Sequence, residues 1–167
     1  MKLRFFLLAC WCLLASPAPL CRTLCGLETT SGNCAQLQAL ESAFLREVAT
    51  TIPLREDPLP ELRACQALKG WRLEPHTLKP SDRVVCGAGW VLEGNEFCVI
   101  GYTFEGARRI EVINNNWRTN ASAHELMHVV DIATLGTPGH CNWGQRGVHR
   151  ALKAITGNED STEGNCP

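Results

Sequence analysis

The sequence predicts a small α+β domain: a short β-sheet with helices on either side of it in the chain, one helix carrying the candidate site, the whole stapled by disulfides. Three observations predict it. Apolar residues recur at helical spacing in residues 34–50 and again beyond residue 120. The middle of the chain is rich in Val, Ile and aromatic residues. Eight of the ten cysteines, at 21, 25, 34, 65, 86, 98, 141 and 166, follow a leader-like N-terminus.

The first 20 residues read as a signal peptide and residues 21–167 as a single domain. Lys2 and Arg4 form a basic start, and Phe5 to Ala15 an apolar run too short to span a bilayer. Ser16 and Ala18 mark the cleavage region, although Pro17 and Pro19 obscure the bond itself. Leu7-Leu8-Ala9-Cys10 resembles a lipobox, but few apolar residues precede the cysteine. Loss of residues 1–18 takes two basic residues and no acidic one from a formal charge of −1, leaving −3. That balance argues against a nucleic-acid partner. No other segment reads as a membrane span, so the expectation is a secreted, periplasmic or extracellular monomer.

Eight cysteines behind a leader read as a disulfide framework, for which about 105 pairings exist. Cys86 and Cys98 lie on strand-like runs either side of a turn and are expected to face each other. No CxxC pair is present, which argues against a cysteine zinc site.

In chain order, residues 21–33 are expected to be irregular. Leu37, Leu40, Phe44 and Val48 mark an amphipathic helix, stopped by Pro53. A proline-rich connector leads to a short helix over 61–68, ended by Gly70. Strands are expected at 83–86, 90–93, 96–104 and 109–113, with turns at 93–96 and 105–107. Ser122 then caps a helix, with Glu125 completing a capping-box pattern, and Gly136 ends it. Asn120-Ala121-Ser122 also fits a glycosylation sequon, but capping accounts for the same residues. A Thr-Pro-Gly turn leads to a last helix over 142–156 and a polar tail tethered by Cys166.

The helix after Ser122 contains His124-Glu125-Leu126-Met127-His128. Side chains four apart on a helix share a face, so His124 and His128 can offer two imidazoles to one ion. Glu125 is turned about 100° from His124 and stands beside such an ion as a base. Zn2+ suits nitrogen ligands in a tetrahedral shell. His140, delivered by the Thr-Pro-Gly turn, is the favoured third ligand. Asp131 is the alternative, on the same stripe as the two histidines, with His149 and His76 also in reserve. Three ligands in a line on one straight helix do not surround an ion. Asp131 therefore fits better as a carboxylate accepting a hydrogen bond from a ligating imidazole or from the following loop.

The HELMH pentapeptide after a β-rich segment resembles the zincin metallopeptidases. The stretch GHCNWGQRGVHRALKAITG is similar to SprT-like domains, the likeness covering residues 120–157. The resemblance implies a zincin-like fold, with His124, His128 and His140 as zinc ligands and Glu125 as the general base in peptide-bond hydrolysis. It also implies that the strand before the active helix receives an extended peptide, which puts Ile110 and Val112 at the substrate. Arg146, His149 and Tyr102 are candidates for stabilising the oxyanion. SprT-like proteins act around DNA inside cells, whereas this chain has a leader, many cysteines and no basic patch. That part of the likeness is therefore not carried over. The metzincin pattern HExxHxxGxxH is not met, since Asp131 and Thr134 occupy its later positions. Two rivals stand beside the peptidase: a zinc amidase acting on cell-wall peptides, and a disulfide-rich binding module without catalysis. Glu125 separates them, because metal binding alone has no need of it.

Overall fold

The computed structural model describes residues 20–49, 51, 60–92, 98–113 and 120–158. The expected leader, most of the proline-rich connector, the turn expected at 93–96, Trp117 and the tail with Cys166 lie outside the described residues.

The elements alternate in type, and the fold is α+β. In order they are β1 (Cys21–Arg22), β2 (Glu28–Thr29), α1 (Cys34–Val48), α2 (Pro60–Leu68), β3 (Arg72–Pro75), α3 (Pro80–Cys86), β4 (Trp90–Val91), β5 (Cys98–Val99), β6 (Gly101–Phe104), β7 (Arg109–Val112), α4 (Asn120–Leu135), α5 (Trp143–Arg146) and α6 (Val148–Thr156). A 3-10 turn over Glu105–Ala107 joins β6 to β7.

The main sheet runs β1-β2-β3-β7-β6. Its central pairings, β2 with β3 and β3 with β7, are parallel, and the two outer ones are antiparallel. Register aligns Leu73 with Ile110 and Thr103, and Pro75 with Val112 and Gly101. Because side chains alternate along a strand, these two rows share one face. Leu73, Ile110 and Val112 are buried there, while Arg72, Arg109 and Glu111 point to the other side.

Helix α4 packs against β6 and β7. Eleven successive residues, Ala121 to Asp131, are buried except His124, so α4 is the central helix rather than a surface one. Helix α1 buries Leu37, Leu40, Phe44 and Val48, the periodic face expected, and packs on α6 through Val148, Ala151, Leu152 and Ile155. Gly136, at φ 72°, ends α4, its N–H bonding the Ile132 carbonyl at 3.1 Å.

Disulfides join Cys21 to Cys34, Cys25 to Cys65, and Cys86 to Cys98. The last is the pair expected from the sequence. Cys141 is also disulfide-bonded. No helix of the described residues is long and apolar enough to cross a membrane.

Four local expectations are corrected. Residues 83–86 form the end of α3 rather than a strand. Pro80 opens that helix and the Asp82 carboxylate accepts the Lys79 N–H at 2.7 Å, half of a capping box. The Val84-Val85 pair that suggested a strand is exposed. Residues 21–33 contain two short strands, with the buried Glu41 carboxylate accepting from the Thr23 hydroxyl and, at 3.2 Å, the Cys25 N–H. Ser122 lies inside α4 and is fully buried, so it is not the cap. The last helix is broken by Gly147, at φ 78°, into α5 and α6.

Candidate metal centre

Helix α4 supplies His124 and His128 from one face, and the turn after Gly136 returns the chain so that His140 meets them. One nitrogen from each ring can be chosen so that all three lie within 4.8 Å of one another. The ring centroids form a nearly equilateral triangle, with sides of 4.8, 4.9 and 4.7 Å. His140 Nε2 and His124 Nε2 stand 3.0 Å apart.

The three rings could together hold a metal ion. Two nitrogens each about 2.0–2.1 Å from a tetrahedral ion are roughly 3.3 Å apart. The His124–His140 pair is close to that spacing. A set of three imidazoles without carboxylate or thiolate suits a transition metal rather than calcium or magnesium, which prefer oxygen.

Glu125 is 6% exposed and reaches the inner face of β6. There the Thr103 hydroxyl donates to Glu125 Oε2 at 2.7 Å. Gly101 supplies the space: a Cβ at that position would stand 2.9 Å from both Cγ and Oε1 of Glu125. The inner face of β6 thus holds the carboxylate that a capping box would have turned back onto its own helix.

Asp131 is fully buried and accepts no imidazole hydrogen bond among the described residues. Its carboxylate takes the Trp143 indole N–H at 2.8 Å and both terminal nitrogens of Arg146, at 2.7 and 3.1 Å. Both donors come from α5, beyond the loop that was expected to supply one.

The strand assigned to the substrate is interior. β7 is paired on both edges, by β3 and β6, and Ile110 and Val112 are 0% and 1% exposed. The sheet ends at β6, the strand beside Glu125. Ile113 N–H bonds the Ile100 carbonyl at 3.1 Å, and antiparallel pairs alternate in hydrogen bonding. The backbone groups of Gly101 and Thr103 therefore point outward, and among the described residues no strand covers them.

His76 is elsewhere, stacked on Trp90 and bonded through Nδ1 to Glu111 at 2.8 Å, lining a separate cavity of about 480 Å³. His149 stands behind Trp143, with 6.2 Å between ring centroids, and is not one of the converging three. The Arg146 guanidinium is committed to Asp131, the Cys141 carbonyl and the Thr51 carbonyl. Tyr102 alternates with Gly101 and Thr103 and so faces away from Glu125, packing edge-on against Phe104.

Trp143, expected from the sequence as a core or cleft-wall residue, lies against the three histidines. It is fully buried, and its ring lies 4.9, 5.3 and 4.6 Å from His124, His128 and His140. No protein-family profile matches the chain, and no curated protein or solved structure is similar to it.

Proposed function

We propose that the protein is a secreted zinc-dependent peptidase of zincin-like architecture. The observation that carries this reading is the convergence of three imidazole nitrogens within 4.8 Å beside a buried glutamate from the same helix. Histidines gathered only to bind a metal would not need Glu125, nor a glycine and a threonine on a neighbouring strand to hold its side chain.

His124, His128 and His140 would hold the zinc and leave one coordination position of four open. When bound, the ion supplies Lewis acidity toward a peptide carbonyl and lowers the pKa of water. Glu125 takes the proton from the attacking water and returns it to the leaving amine. Thr103 keeps the carboxylate oriented for both transfers. An extended peptide is received on the open edge of β6, where Gly101 and Thr103 offer main-chain partners two residues apart. The row of Ile100, Tyr102 and Phe104 on the other face of that strand would meet alternate substrate side chains.

The disulfides and the leader-like start support an oxidising, extracytoplasmic location. The test is metal content and activity together. The purified oxidised protein is expected to hold about one zinc per chain. His128→Ala should lose the metal, while Glu125→Gln should keep it and lose cleavage of a denatured protein substrate followed by mass spectrometry. Unchanged zinc in His128→Ala would sink the site. Wild-type cleavage by Glu125→Gln would leave a metal site without the proposed chemistry.

A further inference from the structure

Trp143 touches all three histidines yet can ligate nothing, since its indole nitrogen is a donor only. A buried indole N–H needs an acceptor, and Asp131 Oδ2 supplies it at 2.8 Å. Asp131 lies on the ligand helix itself, three residues after His128. Its carboxylate is bound by Arg146 through both terminal nitrogens. Arg146 Nη1 also donates to the carbonyl of Cys141, the residue after His140, at 3.2 Å. The main-chain N–H of Trp143 closes the turn onto the His140 carbonyl at 3.4 Å. The helix bearing two of the histidines and the loop bearing the third are thus joined through a single carboxylate.

Burying that carboxylate is costly, and replacing such a pair by apolar groups is often neutral or stabilising. Simple packing does not require it here. What the charge adds is direction: Asp131 fixes the plane of the indole, and the indole is the wall against which three imidazoles rest.

We infer that Asp131, Trp143 and Arg146 form a positioning array that sets the three imidazoles for a metal ion, with Trp143 the positioning residue in contact with all of them. The array acts on ring orientation and on the placement of His140, without touching the ion. This rests on the metal reading above.

Co2+ is the probe, because its visible absorption reports coordination geometry. Trp143→Phe keeps an aromatic ring in the wall, though a smaller one, and removes the indole N–H that bonds Asp131. It is expected to bind Co2+ about tenfold more weakly than the wild type, with a changed absorption band, as loss of hydrogen-bonded partners around a metal site typically does. Trp143→Ala, which loses the wall as well, should weaken binding by about 100-fold. Far-UV circular dichroism of the apo-proteins checks that the fold is kept; should the Ala variant not fold, the Phe variant decides alone. Wild-type affinity and band shape in Trp143→Phe would overturn the array while leaving the metal site intact. A wild-type protein that binds no Co2+ would overturn both.

Discussion

Thr103 donates its hydroxyl to Glu125 at 2.7 Å, joining the edge strand of the sheet to the carboxylate beside the histidine triad. Valine replaces that hydroxyl by a methyl of similar size. A hydrogen bond to a charged group contributes about 1.5–3 kcal/mol, so Thr103→Val should reduce cleavage roughly 10- to 100-fold. Zinc content should stay at the wild-type level, because no ligand is touched. A variant that loses zinc in parallel with activity would show that the strand supports the whole site and not the carboxylate alone.

Gly101 gives a second, steric test of the same contact. Its backbone φ is not positive, so alanine is tolerated by the main chain. The new Cβ would stand 2.9 Å from two atoms of Glu125, closer than such atoms approach. Gly101→Ala should therefore displace the carboxylate and lower activity at least as much as Thr103→Val, again with zinc retained. Wild-type turnover would mean that the glutamate can shift without consequence.

Ile110 and Val112 were expected to meet substrate, but β7 is paired on both sides and both residues lie in the core. Ile110→Ala should accordingly cost about 2–5 kcal/mol of stability, read as a lowered urea midpoint. KM for a peptide substrate should stay unchanged under conditions where the variant is folded. Changes at the edge strand should show the opposite pattern, with KM affected more than stability.

Legibility in the sequence followed the range of the interactions. The periodic face of α1, the glycine stop at Gly136 and the Cys86–Cys98 bridge are local, and each was readable from residues close in the chain. Sheet order was not. β2 meets β3 through Glu28 and Arg72, 44 residues apart, and nothing in a two-residue strand announces such a partner. For the same reason the sequence does not say which strand lies at the edge: alternation marks both β6 and β7 as strands but does not say which one is last. At the site, HELMH and the Thr-Pro-Gly turn pointed to the three histidines. The roles of Thr103, Gly101 and Trp143 depend on which elements lie beside α4, and that is tertiary information. Asp131 is intermediate. Its helical position marked it as a supporting group, but its partners became visible only once α5 was folded back.

The two N-terminal disulfides should differ in their effect on stability. In the chain-entropy view a bridge stabilises by restricting the unfolded chain, and more so for a longer loop. The Cys25–Cys65 bridge has a sequence separation of 40, and Cys21–Cys34 one of 13. Removing them by paired serine substitutions should cost about 4 and about 3 kcal/mol respectively. The longer bridge also ties the β1–β2 loop to α2, so its loss should release the edge of the sheet far from the histidines. Denaturant titration of the two double variants tests the order. A reversed order would mean that strain or native contacts outweigh the chain entropy.

Glu28 sets a pH dependence that can be separated from the metal site. Its carboxylate is held below the usual glutamate range, chiefly by the hydrogen bond from Arg22 and with Arg72 assisting, against the opposing effect of burial. A carboxylate whose folded pKa is depressed stabilises the fold at pH values above its unfolded value, and that contribution is lost as pH falls through the folded pKa. The relevant window therefore opens at about pH 4.3, the unfolded value, and extends downward. Both arginines are more than half exposed, so salt should weaken the effect. The expected result is a difference in urea midpoint between wild type and Glu28→Gln that is constant from neutral pH to about pH 5 and shrinks below it. High salt should reduce the difference at every pH. A difference that grows on acidification would contradict the assignment, since it would require Glu28 to stabilise the fold in its protonated form.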